Sequence, residues 1–478
     1  MNYRMIAHTL GWVLNIEAAC MLLPLICAWI YKESCVLAFL ICILICAFLG
    51  GLLVFKAPKN RTMYSKEGFI IVALSWITMS IFGSLPFFIS GYIPSFIDAL
   101  FETVSGFTTT GASILKDVEA LPKSLIFWRS FTHWIGGMGV IVFLVAILPL
   151  SGGGNMYLIK AETTGPAVSK LVPKVRSTAK LLYSIYIVLT FIQIVLMLIG
   201  GASLFDALTL SFGTAGTGGF AIKNSSIADY SPYIQNVITV FMIIFGVDFS
   251  LYYLIIIKKW KLAVKSDEVR AYLGIIAVSI IIICFNCRSL FGSFGETLRH
   301  AAFQVGSIIT TTGYSTTDFN KWPELSKAIL VMLMFIGACA GSTGGGIKVS
   351  RILILLKSIV KEIKIAAHPR STHKIKMNSR VVEHETVRAV NVFIASYLVI
   401  FALSVLIISI DNADFTTNFT AVIATLNNIG PGLSKVGPVE NFSLYSPLST
   451  IVLIFDMLVG RLEIFPLLIL FSPYTWKK

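Results

Sequence analysis

Four short stretches of this chain consist almost wholly of threonine, glycine and asparagine with a few apolar residues. They run Ser105-Gly-Phe-Thr-Thr-Thr-Gly-Ala112, Gly213-Thr-Ala-Gly-Thr-Gly-Gly-Phe220, Ile309-Thr-Thr-Thr-Gly-Tyr314 and Thr425-Leu-Asn-Asn-Ile-Gly-Pro-Gly432. Their side chains offer no nucleophile–base pair. What they offer is backbone: an extended Thr-Gly strand lines up successive carbonyl oxygens, and glycine reaches angles that β-branched residues do not. Rings of such oxygens can replace the water shell of a dehydrated cation. A single Thr-Thr-Gly says little, but the glycines at Gly111, Gly218, Gly313 and Gly430 recur about every hundred residues, the mark of an internal repeat. Gly106 and Gly213 even share an offset, each five residues before its loop glycine. Ordinary extracellular loops rich in Thr and Gly would explain neither this spacing nor the short apolar segment before each stretch.

The elements that hold these stretches follow from composition. Of 478 residues, 56% are hydrophobic and 13% charged, against about 25% charged in a soluble protein, which argues against a cytosolic enzyme. Ten apolar tracts are long enough to cross a bilayer of about 30 Å: 6–30, 36–55, 69–89, 125–148, 181–199, 234–257, 272–291, 329–356, 390–410 and 448–471. The first is read as a retained helix rather than a signal peptide, since no small-residue cleavage site follows it. Each Thr-Gly stretch lies between two tracts, after an apolar segment too short to cross. In lipid such backbone is tolerated only where protein or a water-filled cavity surrounds it, so four re-entrant loops are expected. Asp98 and Asp206 open the first two re-entrant helices, where a carboxylate suits the positive helix end, and the helix C-termini aim negative dipole ends at the centre.

The net charge of +14 is membrane topology rather than a nucleic-acid surface, because lysine and arginine cluster in alternate connections. Lys56, Lys59, Arg61 and Lys66; Lys160, Lys170, Lys174, Arg176 and Lys180; Lys258, Lys259, Lys261, Lys265 and Arg270; and a long segment from Lys348 to Arg388 mark four cytoplasmic loops. Anionic lipid is the simplest occupant of these loops. Most of the eight cysteines lie in apolar tracts, where a disulfide framework does not belong. Cys284 and Cys287 form C-x-x-C, which reads as two thiols at a helix end or as a redox pair. His368, His373 and His384 share the longest basic loop and read as solvated positions, with metal binding the alternative. Arg129 and His133, four residues apart, read as structural or as a proton relay, while Glu17 and Asp248 are intramembrane acids with no partner evident.

Glycine also crowds 337–346, at positions 337, 341, 344, 345 and 346, inside the eighth tract. Each interior glycine costs a helix about 1 kcal/mol relative to alanine, so the helix breaks there. The run Gly341-Ser-Thr-Gly-Gly-Gly-Ile-Lys348 is no phosphate-binding loop, because Ile347 separates glycine from lysine and no strand precedes it. Ionisable groups within spans are functional candidates. Arg461 is the foremost, in a gate or paired with Asp456 or Glu463 between helices; Lys348 is a second gate element or a snorkelling anchor.

On these residues the chain resembles the Trk/Ktr/HKT superfamily of potassium transporters, nearest its bacterial TrkH/TrkG branch. The motifs are the four stretches above together with His133-Trp-Ile-Gly-Gly-Met-Gly139 and Gly337-Ala-Cys-Ala-Gly-Ser-Thr-Gly-Gly-Gly-Ile-Lys348, spread over nearly the whole length. The resemblance implies an all-α polytopic membrane protein with two N-terminal helices (residues 1–66) and four helix/pore-loop/helix repeats (67–150, 178–260, 268–365 and 385–478) in pseudo-fourfold arrangement around one pore. It further implies uptake of the potassium ion as substrate across a bacterial inner membrane, with no cofactor. The expected partners are a second copy in a homodimer and a cytosolic nucleotide-binding regulatory subunit of the TrkA type; nucleic acid is not among them. Carried over residue by residue, the potassium-binding strands are Thr109-Thr110-Gly111, Gly216-Thr217-Gly218, Thr311-Thr312-Gly313 and Asn428-Ile429-Gly430. Gly111, where sodium-admitting relatives carry serine, favours potassium. Gly341, Gly344, Gly345, Gly346, Lys348 and Arg461 would form an intramembrane gate. The second strand (Ala215-Gly216 before Thr217) and the fourth (Asn427-Asn428-Ile429) depart from the pattern. The alternative is a proton- or sodium-coupled cation symporter, which would bind at matched broken helices near the midplane; the sequence shows one Gly-rich break.

Overall fold

The computed structural model describes residues 1–55, 58, 64–139, 175–369 and 372–476. The basic positions Lys56, Lys59, Arg61, Lys160, Lys170, Lys174 and Arg370 lie outside them, as does the tract 125–148 beyond Gly139.

Two N-terminal elements come first. Tyr3–Cys20 runs on through Met21 into Leu22–Ile30 and packs along Val36–Val54. Small residues set this crossing: a methyl at Gly11 would lie 2.9 Å from the Gly50 carbonyl oxygen, and one at Gly50 2.8 Å from that of Gly11, the close backbone approach typical of helices packed in lipid.

Four units of one design follow, each an outer helix, a short pore helix and an inner helix. The outer helices are Ser65–Ile89, Val175–Ile199, Asp267–Asn286 and His384–Ile408. The pore helices are Phe96–Phe107, Leu204–Ala215, Phe294–Ile309 and Phe415–Leu426. Three have 12 residues and the third 16; at 1.5 Å per residue they reach about 18 Å and 24 Å, short of a bilayer. Each starts on a side-chain cap: Ser95, Ser203 and Ser293 accept the backbone N–H of Asp98, Asp206 and Glu296, and Asp414 that of Thr417. The seryl and aspartyl oxygens satisfy donors that helix starts leave unpaired, and Asp98, Asp206 and Glu296 add first-turn negative charge.

The inner helices correct the sequence reading. Lys123–Gly137, Pro232–Phe245, Glu324–Ile336 and Pro447–Arg461 all stop after 13 to 15 residues, although three uninterrupted tracts and one Gly-rich break were expected. Pro232–Phe245 turns by 92° into Phe249–Ile256. Glu324–Ile336 gives way to the glycine loop before Val349–Ala367, and Pro447–Arg461 to a turn at Glu463 (φ 55°) and Ile464 (φ 71°) before Phe465–Phe471. Hydropathy misses these breaks because a single charged residue at each, Asp248 or Glu463, hardly lowers the mean of a largely apolar tract. Among the described residues six helices are long and apolar enough to cross by themselves, or seven with the bent pair counted as one; the broken inner helices fall short of that length.

Large apolar side chains are exposed along the outer faces: Leu44, Phe48, Leu52, Val399, Leu403 and Leu406 are all more than half exposed. A water-soluble protein rarely shows so much contiguous apolar surface, and here it faces lipid. All eight cysteines are free thiols; Cys284 and Cys287 are buried, and the Cys287 thiol lies 3.3 Å from the Ser326 hydroxyl. His368, His373 and His384 are exposed, and the described residues hold no cluster of three metal-ligating groups.

Candidate functional site

Four pore helices end on the same backbone device. At Thr109, Thr217, Thr311 and Asn428 the chain takes left-handed angles, with φ of 55°, 53°, 59° and 55°. The residue after each donates its N–H back into the helix: Thr110 to Ser105, Gly218 to Gly213, Thr312 to Ser307 and Ile429 to Ala424, at 2.8 to 2.9 Å. A glycine with positive φ follows each time, at Gly111, Gly219, Gly313 and Gly430. Left-handed angles cost a β-branched residue, so their recurrence at three threonines and an asparagine identifies equivalent positions.

This equivalence shifts the second strand by one. Sequence matching pairs Gly218 with Gly111, whereas the backbone pairs Gly219 with it and makes Thr217-Gly218-Gly219 the second triplet; Gly216 caps the helix. Two adjacent glycines allow either alignment on paper, and the helix end decides. The shared offset of Gly106 and Gly213 is therefore coincidental, since Gly213 corresponds to Ser105.

The triplets close a ring. A methyl group at Gly111 would collide with the carbonyl oxygen of Gly218, one at Gly219 with that of Thr312, one at Gly313 with that of Ile429, and one at Gly430 would lie 2.8 Å from that of Thr110. Each glycine thus packs on the middle carbonyl of the next strand, in cyclic order. Outside the ring neighbouring units are tied again. Arg129 Nη1 donates to the Ala221 carbonyl (2.9 Å), Ile227 N to Ser315 O (2.9 Å), Ser434 N to Asn320 Oδ1 (2.9 Å) and Phe442 N to Ser113 O (2.9 Å).

The departures have local reasons. In the fourth strand Asn428 Nδ2 donates to Thr110 Oγ1 and to the Met457 carbonyl, both at 2.9 Å, and Asn427 Nδ2 to Tyr397 Oη at 2.7 Å, so amides reach partners a threonine could not. Repeats one and two share a buried network that sequence reading missed by leaving out Glu102. Its carboxylate, fully buried, accepts Arg129 Nε at 2.5 Å, Ser113 Oγ at 3.1 Å and Ile114 N at 3.0 Å, while the guanidinium stacks 3.5 Å from the Phe220 ring. His133 Nε2 accepts from Phe220 N (3.2 Å), which leaves Nδ1 to donate to Gly106 O (2.7 Å). Both residues hold strands together, the structural one of their two readings.

Beneath the ring lies the glycine loop. Gly345 N donates to Thr311 Oγ1 at 2.6 Å, and a methyl at Gly344 would lie 2.9 Å from the Thr310 carbonyl oxygen. Lys348, buried with φ 84°, turns its ammonium onto the Gly344 carbonyl inside the loop rather than outward as a snorkelling anchor. Arg461 reaches three carbonyls: Nη1 to Thr343 (2.8 Å), Nη2 to Gly136 (2.5 Å) and Gly137 (2.8 Å). It therefore joins the breaks of repeats one, three and four. Of the acids weighed as its partners, Asp456 takes the Ser404 hydroxyl (2.7 Å) and Glu463 the Arg351 guanidinium (2.5 Å). Asp248 caps Phe249–Ile256 through Ser250 N (2.8 Å), and the fully buried Glu17 has no hydrogen-bond partner among the described residues. Below the loop a cavity of about 1190 Å³ opens among Asp248, Lys265, Glu268, Arg270, Arg380 and Arg461, on the side that the basic loops mark as cytoplasmic.

A family model described as cation transport protein, TrkH, matches residues 36–478. The chain belongs to the TrkH family. Across its full length it is 37% identical to the Trk system potassium uptake protein TrkH of Salmonella typhimurium, covering all of both chains. It is 33% identical to TrkG of Escherichia coli, covering all of this chain and 99% of that one. The crystal structure of the potassium transporter TrkH from Vibrio parahaemolyticus superposes with a TM-score of 0.90 at 34% identity, covering all of both chains. As a TrkH-family member with apolar outer faces, the chain is a multi-pass membrane protein.

Proposed function

We propose that this TrkH-family chain takes up potassium across a bacterial inner membrane. The ion sheds its water into the ring formed by Thr109-Thr110-Gly111, Thr217-Gly218-Gly219, Thr311-Thr312-Gly313 and Asn428-Ile429-Gly430, with carbonyl oxygens replacing hydration. It then meets the glycine loop with Lys348 and Arg461, where the fixed positive charge of Arg461 raises the barrier until the loop moves. The membrane potential drives entry with about 2.3 kcal/mol per charge per 100 mV. The observation that carries this reading is the cyclic packing of each loop glycine on the next strand's carbonyl, which leaves no room for a side chain. The reading includes a homodimer and a TrkA-type nucleotide-binding subunit on the basic cytoplasmic surface. It assigns transport and no covalent chemistry.

The test is growth on limiting potassium in a host lacking its own uptake systems. The intact chain should restore growth, and Gly313→Ser should not; equal rescue would sink the filter assignment. One observation favours proton or sodium coupling as a second reading: all four inner helices break at similar length, and coupled transporters place their sites at such breaks. Liposome flux that responds to an imposed proton or sodium gradient, at fixed potential, would decide for it.

A further inference from the structure

The loop 337–348 is closed at its base by two backbone bonds, Lys348 N to Ile336 O (3.0 Å) and Val349 N to Ala338 O (3.1 Å), and by one carboxylate beside them. Glu268 is the second residue of the third outer helix, and its Oε1 accepts the backbone N–H of Ala340 at 2.7 Å and that of Ser350 at 3.1 Å. Those two residues flank the glycines of the loop, Gly341, Gly344, Gly345 and Gly346, so a single side-chain oxygen bridges the two sides of the loop and adds to the backbone bonds at its base. Ser350 lies in the first turn of Val349–Ala367, where a carboxylate also meets the positive end of the helix dipole. The crown of the loop is fastened elsewhere, by Gly345 N to Thr311 Oγ1 under the ring. Its near side rests on the neighbouring break: Phe249 N donates to Gly341 O at 3.1 Å, and a methyl at Gly341 would come within 2.7 Å of Asp248 Oδ1.

We propose that Glu268 is the positioning residue that keeps the gate loop folded beneath the filter, and that opening requires its two N–H bonds to let go. The inference rests on reading 337–348 as the gate. Glu268 does not touch the ion. It lines the cytoplasm-facing cavity together with Asp248, Ala340, Ser342 and Ser350, so water can compete for its oxygen when the loop moves. Hydrogen bonds to an ionised acceptor are the stronger kind, and two on one atom bias the loop to the closed arrangement without entering the conduction path.

The experiment measures potassium flux into liposomes by the full-length chain, comparing wild type, Glu268→Ala, Glu268→Gln and a variant lacking residues 342–345. Glu268→Ala should raise maximal flux at least threefold, with the half-saturating potassium concentration and the potassium-to-sodium ratio unchanged. Glu268→Gln, which keeps an acceptor oxygen without the charge, should fall between. Wild-type or lower flux from Glu268→Ala that purifies and melts like wild type overturns the proposal. If that variant does not fold, Glu268→Gln decides: raised flux supports the clamp and wild-type flux overturns it. Loss of fold in both assigns Glu268 to the fold and overturns the proposal as well. The shortened loop separates the two levels, since raised flux there with unchanged Glu268→Ala sinks only the clamp, whereas unchanged flux there sinks the gate and the clamp with it.

Discussion

At Gly219 only a hydrogen separates the backbone from the Thr312 carbonyl, and Gly111, Gly313 and Gly430 stand in the same relation to their neighbours. Substitution by alanine at any of the four must push a strand outward. Gly219→Ala and Gly111→Ala should therefore each lower the potassium-to-sodium flux ratio by roughly tenfold, equivalent to about 1.4 kcal/mol of discrimination; paired liposome measurements with the two ions check this. The Arg129–Glu102 pair is fully enclosed, so removing one partner strands a buried charge. Arg129→Gln should cost about 3–5 kcal/mol, read as an earlier thermal melt in detergent. Asp414, outside the spans, accepts the Thr417 hydroxyl and N–H, and the Thr417 hydroxyl holds its carboxyl below the usual carboxylate range. A depressed folded value means that the stabilisation is complete above the unfolded pKa of about 3.9 and is lost as pH falls through the lower folded one. Melting temperature should thus fall with acid below about pH 4 in wild type and less steeply in Asp414→Asn.

Among the elements, the pore helices were readable and the inner helices were not. A short apolar segment before each Thr-Gly or Asn-rich stretch is legible in the sequence, and the structure forms a short helix there four times, three of 12 residues and one of 16; their Ser95, Ser203, Ser293 and Asp414 caps appear only in the structure. The inner helices look continuous because a single charged residue at a break, Asp248 or Glu463, sits in a largely apolar tract, and a helix end inside protein satisfies its carbonyls through partners distant in sequence. Arg461 is such a partner, taking the carbonyls of Gly136, Gly137 and Thr343. Arg461→Ala removes both a fixed cation and the tie between three units. If those ties hold the gate, potassium flux should rise about tenfold, corresponding to about 1.4 kcal/mol off the barrier, with the potassium-to-sodium ratio unchanged; flux at the wild-type level would place Arg461 among structural residues.

For the molecule as a whole, the repeat fixes the architecture. Four units, each with one apolar face toward lipid and one Thr-Gly strand toward its neighbours, can satisfy their strand backbones only together, which explains why the ring and its outer ties run in cyclic order. The sequence by itself determined the membrane setting, the fourfold repeat, the re-entrant helices, the glycine loop and the prominence of Arg461, because periodicity, glycine content and a charge in an apolar tract are local properties. It did not determine the register of the second strand, where Gly218 and Gly219 both fit, nor the breaks in the other inner helices. It also passed over Glu102 and Glu268, acids whose meaning depends on Arg129 and on two loop amides far along the chain. Those were decided only by tertiary structure, because a left-handed angle, a carbonyl packed on a glycine and a carboxylate shared by two N–H groups are relations between segments that no single stretch of residues encodes.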